Sequence, residues 1–285
     1  MADTVAVVTP AYDAERWIAA CAQSVLTQTH ADWEHWIIAD DGRDYEALLA
    51  KAGLADRRQR FVSSGTIGGG ASRARNAALD AITAPYVAIL DVDDRFKPDK
   101  LARAVTALAD FAIVSSALEE FDETGAHLRL VGQGPDSTLS PAAYKWTNLS
   151  MDSMLVWDRR RTDARYDLTL TNMTDLELLL QLFRRAESCF HIGTPLHDYL
   201  KLSVSMSNGP GVTEKMIRSK RELLRRLWAE DYPMADATGP EGMASFLEIS
   251  LQAEETYPGA VATKPGLLFE DHLEPLLRAS STSPA

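Results

Sequence analysis

The chain opens with short apolar runs, each ended by polar residues. Thr4-Val5-Ala6-Val7-Val8 reads as a strand closed by Thr9-Pro10, and Trp36-Ile37-Ile38-Ala39 as a second closed by Asp40-Asp41-Gly42. Between them Trp17, Ile18, Cys21, Val25 and Leu26 recur at helical spacing, with Asp13 placed to cap that helix. A helix over 45–52 and a weak strand at 60–62 follow, then a glycine-rich turn, Gly65-Thr66-Ile67-Gly68-Gly69-Gly70, opening into a helix to about Ile82. Tyr86-Val87-Ala88-Ile89-Leu90 is a buried parallel strand by its apolar, β-branched content, and it stops at Asp91-Val92-Asp93-Asp94. Leu101, Ala104, Val105 and Leu108 share one helix face before a strand at 111–114. This β-α-β-α order over residues 1–116 predicts a mostly parallel sheet with right-handed crossovers.

The pattern then loosens. A strand pair turning at Glu123-Thr124-Gly125 fits 118–130, 135–140 reads as a loop, and 153–157 as a strand. A helix over 174–187 carries Leu176, Leu179, Leu180 and Phe183 on one face, with Thr174 and Glu177 in capping-box spacing. Ser207-Asn208-Gly209-Pro210-Gly211 is the clearest boundary, and the remainder is helical to a small, polar, frayed end at 279–285.

Composition narrows the function classes. With 285 residues the chain holds one large or two small domains with a real core, and 46% hydrophobic and 25% charged content is ordinary for a soluble protein. A net charge of −12 argues against a general electrostatic grip on nucleic acid or an anionic membrane. An anionic ligand would be held by local Arg or a metal. Cys21 and Cys189 have no metal-ligand spacing, and Cys21 reads as a small core residue. No run reaches a membrane-span length and the N-terminus enters a strand at once, so the expected location is the cytoplasm.

Two strands ending in paired acids give the chemistry its focus, because open α/β sheets bind ligands at their carboxyl ends. Clustered carboxylates repel unless a cation holds them, and hard oxygen ligands suit Mg²⁺ or Mn²⁺. The structural alternative is that Asp93 or Asp94 merely leads into the helix near Pro98. An EF-hand is excluded, since Phe96 and Ala102 fall where its Gly and Glu belong. The glycine-rich turn lacks the Lys-Ser/Thr ending of a Walker A loop. It either lends backbone N–H groups to phosphate or is a loop over the ligand.

Taken together, Val7-Val8-Thr9-Pro10-Ala11-Tyr12, Ser24-Val25-Leu26-Thr27-Gln28-Thr29, Asp40-Asp41-Gly42, Ala74-Arg75-Asn76, Leu90-Asp91-Val92-Asp93-Asp94 with Pro98 and Leu101, and Asp175 on a Leu-rich helix form an ordered series. In this the chain resembles the family 2 glycosyltransferases of the GT-A fold, inverting enzymes that use nucleotide sugars. The resemblance implies a Rossmann-like α/β sheet flanked by helices. It implies a catalytic domain over 1–207, with a nucleotide-sugar half at 1–116 and an acceptor half at 117–207, and a helical extension at 208–285. It also implies that Pro10, Tyr12 and Asp41 line the nucleoside pocket and Asp91 touches ribose or sugar. Asp93 would ligate Mn²⁺ or Mg²⁺ on the diphosphate, and Arg73 or Arg75 would contact the diphosphate or donor sugar. Asp175 would be the base, although an acid at a helix start also complements the dipole, which would lower its pKa. The expected partners are a nucleoside-diphosphate sugar, UDP-linked in preference, and a carbohydrate, lipid-linked or small-molecule acceptor, without nucleic acid. A homo-oligomer through the C-terminal helices is also compatible.

One departure stands out. Leu202 occupies the place where the family often has a His, within Tyr199-Leu200-Lys201-Leu202-Ser203. The cation would then keep more water or diphosphate ligands, or take His197 or His191; Lys201 either approaches the diphosphate or is solvated. Trp33, Trp36 and Trp157 read as core, and Trp146 as a sugar-stacking candidate. Arg159-Arg160-Arg161 is either a solvated turn or a contact for an anionic acceptor. Two other classes share parts of this pattern. A sugar nucleotidyltransferase would want a basic glycine-rich loop after the first strand, which Thr9-Pro10-Ala11-Tyr12 does not supply. A non-catalytic sugar-nucleotide or carbohydrate-binding protein would have lost metal binding or the base.

Overall fold

The computed structural model describes residues 3–146, 151–202 and 211–281. The first half runs β1 (Val5–Ala11), α1 (Ile18–Leu26), β2 (Trp33–Ala39), α2 (Tyr45–Lys51), β3 (Gln59–Ser63), α3 (Ala71–Ala81) and β4 (Tyr86–Ile89). A two-residue β5 (Arg95–Phe96), α4 (Lys100–Leu108) and β6 (Ile113–Ser116) follow. Then come the hairpin β7 (Leu118–Phe121) and β8 (His127–Val131), β9 (Ser137–Leu139) and β10 (Leu155–Asp158). The rest is α5 (Thr174–Leu182), β11 (Cys189–Ile192), β12 (His197–Leu200) and the helices α6 (Val212–Trp228), α7 (Gly239–Thr263) and α8 (Phe269–Ser281).

The main sheet has the order β3-β2-β1-β4-β10-β6-β11-β9. Its β3-β2-β1-β4 part is parallel throughout, as the alternating first half requires. The sheet stays mostly parallel, as expected: β6 and β11 pair in parallel, and antiparallel pairing is confined to β10 and the edge strand β9. β10 enters antiparallel between β4 and β6, so β6 is not hydrogen-bonded to β4. A small second sheet, β5-β12-β7-β8, sits beside it, and 135–140, expected as loop, contributes β9 to the main sheet edge.

Every residue of β1 and β4 is buried, because helices cover both sheet faces. Side chains alternate across a strand, so Ala6, Val8, Val87 and Ile89 join the layer with α3 and α5. Val5, Val7, Ala88 and Leu90 join the opposite layer with α1 and α4. Trp33, Trp36, Trp157 and Cys21 are core residues. The C-terminal helices extend the first layer: Leu223, Leu227, Met243, Phe246, Leu247, Leu273 and Leu277 belong to the same cluster as Val87 and Leu179. Among the described residues no helix is long and apolar enough to cross a membrane.

Two expected caps are not formed. Asp13 adopts φ 50° and α1 starts at Ile18 without a side-chain cap; the Asp13 amide instead donates to Asp41 at 2.8 Å. Glu177 does not reach back to the α5 start, because Tyr232 and Gln181 donate to its carboxylate. The Trp146 side chain expected to stack on sugar, the expected boundary at 207–210 and the polar end at 282–285 lie outside the described residues.

Candidate active site

The register of the parallel strands assembles the site. Val8 is level with Ile37-flanking Trp36 on one side and with Ile89 on the other. The carboxyl ends of β1, β2 and β4 therefore emerge side by side, and Pro10, Tyr12, Asp40, Asp91 and Asp93 share one cleft. Its volume is about 630 Å³, and Asp152, Asn172, Asp175, Tyr199, Leu200 and Met216 complete the wall. Of the residues expected from sequence, Pro10, Tyr12, Arg75, Asp91, Asp93 and Asp175 all line this cleft.

Asp41 and Arg73 are outside that lining. The Asp41 carboxylate accepts from the Asp13 and Arg43 amides and from the Tyr45 hydroxyl. Burial works against its ionisation, but these donors and the Arg43 charge together hold it below the usual carboxylate range. The neighbouring Asp40 faces the cleft, where it accepts from Ser64 Oγ at 2.5 Å and from the Gly69 and Gly70 amides at 3.1 and 2.8 Å. The glycine-rich turn thus donates those two amides to Asp40 rather than presenting them to phosphate. Gly70 (φ +89°) opens α3 from this turn, a conformation glycine tolerates without strain.

Arg75 is the hub of the cleft. On the buried face of α3, its guanidinium reaches Asp91 at 2.5 Å and Asp152 at 3.1 Å, with Cζ 5.0 Å from the Tyr166 ring centre. Burial opposes its charge, but Asp152 and Asp91 outweigh burial and keep it protonated. Tyr166 is held by Asn76, whose side chain exchanges two hydrogen bonds with the Tyr166 backbone, and its hydroxyl donates to Asp152 at 2.7 Å. The Arg75-Asn76 pair therefore joins α3 to the opposite cleft wall.

Asp152 was not legible in the sequence. It sits on a one-turn 3-10 helix, Asp152–Met154, tied down from beneath by Lys100, whose ammonium donates to Met154 O at 2.9 Å and Ser116 Oγ at 2.6 Å. Burial raises the Asp152 pKa, and Arg75 opposes the rise.

The remaining acids divide by environment. Burial first, then the Asp94 and Asp91 charges, push the Asp93 carboxyl up to about 8. Asp94 is wholly enclosed and does not lead into α4; it faces His197 Nε2 at 2.9 Å and accepts from the Leu200 amide at 2.8 Å. Burial drives Asp94 up and His197 down to about 3, favouring a neutral pair. His191 is elsewhere, between Ser115 and the Gly132 carbonyl. Asp175, at the first turn of α5, is pushed up to about 7 by burial and then by Asp152, against the amide of Leu176. This reverses the depression expected from the helix dipole. Met173, just before α5, takes the left-handed conformation with φ 61°, a strain of order 1–3 kcal/mol for a non-glycine residue.

Lys201 turns from the cleft to Glu270 of α8 at 2.7 Å. Arg159, Arg160 and Arg161 are engaged by their own chain, through Asp163, Asp158 and the Asp110 carbonyl. Among the described residues there is no group of three or more His, Cys, Asp or Glu placed to enclose a metal.

An open α/β sheet with an acid cluster at its carboxyl ends and a second half closing the cleft defines an enzyme of the GT-A fold. The comparisons agree. Residues 6–181 match the model of glycosyl transferase family 2. The chain belongs to this family and is a glycosyltransferase. It is similar to the putative teichuronic acid biosynthesis glycosyltransferase TuaG of Bacillus subtilis, 29% identical over 72% of this chain and 81% of that one. It is also similar to the Escherichia coli UDP-Glc:alpha-D-GlcNAc-diphosphoundecaprenol beta-1,3-glucosyltransferase WfgD, 33% identical over 36% of this chain and 40% of that one. Among solved structures, S. aureus TarS 1-349 in complex with UDP-GlcNAc superposes with a TM-score of 0.68 at 15% identity, covering 93% of this chain and 76% of that one. The mannosyltransferase PcManGT from Pyrobaculum calidifontis, in complex with GDP-Man and Mn²⁺, gives a TM-score of 0.57 at 15% identity, covering 97% and 79%.

Proposed function

We propose that this glycosyltransferase moves a sugar, with inversion, from a nucleoside-diphosphate donor to an acceptor hydroxyl, using Asp175 as the base. The observation that carries this is the placement of the Asp175 carboxyl in the same cleft as Asp91, Asp93 and Arg75, where burial and then Asp152 push its pKa up to about 7. A base works best when its pKa lies near the working pH. Asp175 takes the proton of the acceptor hydroxyl as that oxygen bonds to the anomeric carbon. The bond from that carbon to the diphosphate oxygen breaks, and its electron pair leaves with the diphosphate. A UDP-linked donor is favoured by the relatives that carry UDP in their names.

The donor end falls to the first half. Pro10 and Tyr12 flank the nucleoside, Asp41 supports that pocket from behind, and Asp91 meets the ribose or sugar while Arg75 fixes its orientation. Arg73, exposed beside the glycine-rich turn, remains free to meet phosphate. Asp93 fits a Mn²⁺ or Mg²⁺ ion, since its carboxylate is crowded by two others and a cation would relieve their repulsion. Such an ion supplies neutralisation of the charge that develops on the departing diphosphate. With so few protein ligands at hand, most of its coordination would come from the diphosphate and water.

Asp175→Asn tests the assignment of the base. Turnover should fall at least about a thousandfold, in the range for loss of a general base, while donor affinity stays within about twofold. Retained turnover would place the base elsewhere.

A further inference from the structure

We propose that the outer face of α6 docks onto an anionic lipid surface. Lys215, Arg218, Arg221 and Arg225 follow one another along α6 at spacings of three or four, and all are exposed. Residues so spaced share one helix face. The face ends in Trp228, which is 58% exposed, and the adjoining flank carries the half-buried Ile217 and Leu224. The opposite face, with Ser219, Lys220, Leu223 and Leu227, is buried in the protein.

Like charges at this spacing repel along a helix, and intramolecular acids do little to relieve them. Arg225 pairs with Glu222 at 2.8 Å, and Glu214 in the first turn shares the outer face. Among the described residues Lys215, Arg218 and Arg221 form no ion pair, whereas Arg43, Arg58, Arg60, Arg129, Arg165 and Arg226 are all matched by carboxylates. The chain as a whole carries −12, so its overall field works against any anionic partner and this stripe is a local exception. Lipid fits better than a soluble polyanion because the cations are flanked by an exposed indole. Phosphate headgroups satisfy the guanidinium groups while Trp228 enters the interface, the combination typical of helices that lie on bilayers.

The geometry gives the docking a use. Met216, on the inner side of α6, lines the catalytic cleft, and a helix is about 10 Å across. Docking through the outer face holds the cleft wall within roughly one helix diameter of the headgroups. The docking does not depend on which donor or acceptor the cleft takes.

The test is sedimentation of the full chain with vesicles of phosphatidylcholine alone and of equimolar phosphatidylcholine and phosphatidylglycerol. Binding should require phosphatidylglycerol and be lost in high salt, as screening dictates. Lys215→Glu/Arg218→Glu/Arg221→Glu should weaken it by about a hundredfold, the scale for three cations near an anionic surface. Trp228→Ala should weaken it further, and vesicle-free turnover should stay at the wild-type level in both. Absence of phosphatidylglycerol-dependent binding, or undiminished binding by the triple variant, overturns the proposal. Retention on heparin without vesicle binding would overturn it in favour of a soluble polyanion. Each of these results leaves the transferase assignment standing.

Discussion

The raised pKa of Asp175 has a thermodynamic consequence that an isosteric change exposes. In the unfolded chain its carboxyl titrates at 3.8, and in the fold at about 7. For an acid whose folded pKa is the higher, the folded state binds more protons, so stability falls as pH climbs from about 4 to about 7 and stays low above. A displacement of about three pH units, at about 1.4 kcal/mol per unit, caps the cost at about 4 kcal/mol. Asp175 is partly exposed, and solvent screening reduces that figure; about 1–2 kcal/mol is the working expectation. Asn keeps the size and can still accept from the Leu176 amide, a bond of 2.8 Å in the wild type. Asp175→Asn should therefore melt about 2–6 °C above wild type at pH 8 and coincide with it at pH 4. Paired thermal melts at the two pH values decide the matter. A variant no more stable than wild type at pH 8, or equally stabilised at both, would refute the burial argument.

Other consequences follow from the same contacts. Asp152→Asn removes the negative charge that, after burial, does most to raise Asp175; the acid limb of the turnover profile should shift to lower pH, and an unmoved limb would show the two carboxyls to be independent. Gly242→Ala would place a Cβ 2.2 Å from Ala142 Cα, where only backbone is available to yield. It should cost about 1–3 kcal/mol in urea unfolding, despite the gain in helix propensity, and a stabilised variant would mean that α7 does not pack so closely on Pro141–Trp146.

Much of the first half was legible because its physics is local. Val5 to Val8 and Tyr86 to Leu90 are apolar on both alternating faces, and only a sheet covered on both sides accommodates that. Short strands were not legible for the opposite reason. β11 interrupts its apolar residues with His191, which the Ser115 hydroxyl and Gly132 carbonyl satisfy, and β12 begins His197-Asp198. Those polar residues become strand residues only through distant partners. Asp152 illustrates the limit most clearly, since its value to the site rests on Arg75, Tyr166 and Lys100. The acid pair Asp40-Asp41 marked the right strand end, yet only the turn from Gly68 to Gly70 reveals that Asp40 faces the cleft. Thr174 and Glu177 had capping-box spacing, but burial of Glu177 against Tyr232 outweighed a local cap.

The central claim is that the acid cluster binds a nucleotide sugar through a cation on Asp93. The most direct measurement is a melting-temperature panel of UDP-, GDP- and dTDP-sugars, with and without Mn²⁺, on wild type and Asp93→Asn. A UDP-sugar should raise the melting temperature of wild type only with Mn²⁺, by about 3 kcal/mol of linkage at a hundredfold excess over Kd, and the variant should lose that dependence. Failure of every nucleotide sugar to stabilise wild type with Mn²⁺ present, or an unchanged Mn²⁺ effect in Asp93→Asn, would contradict it.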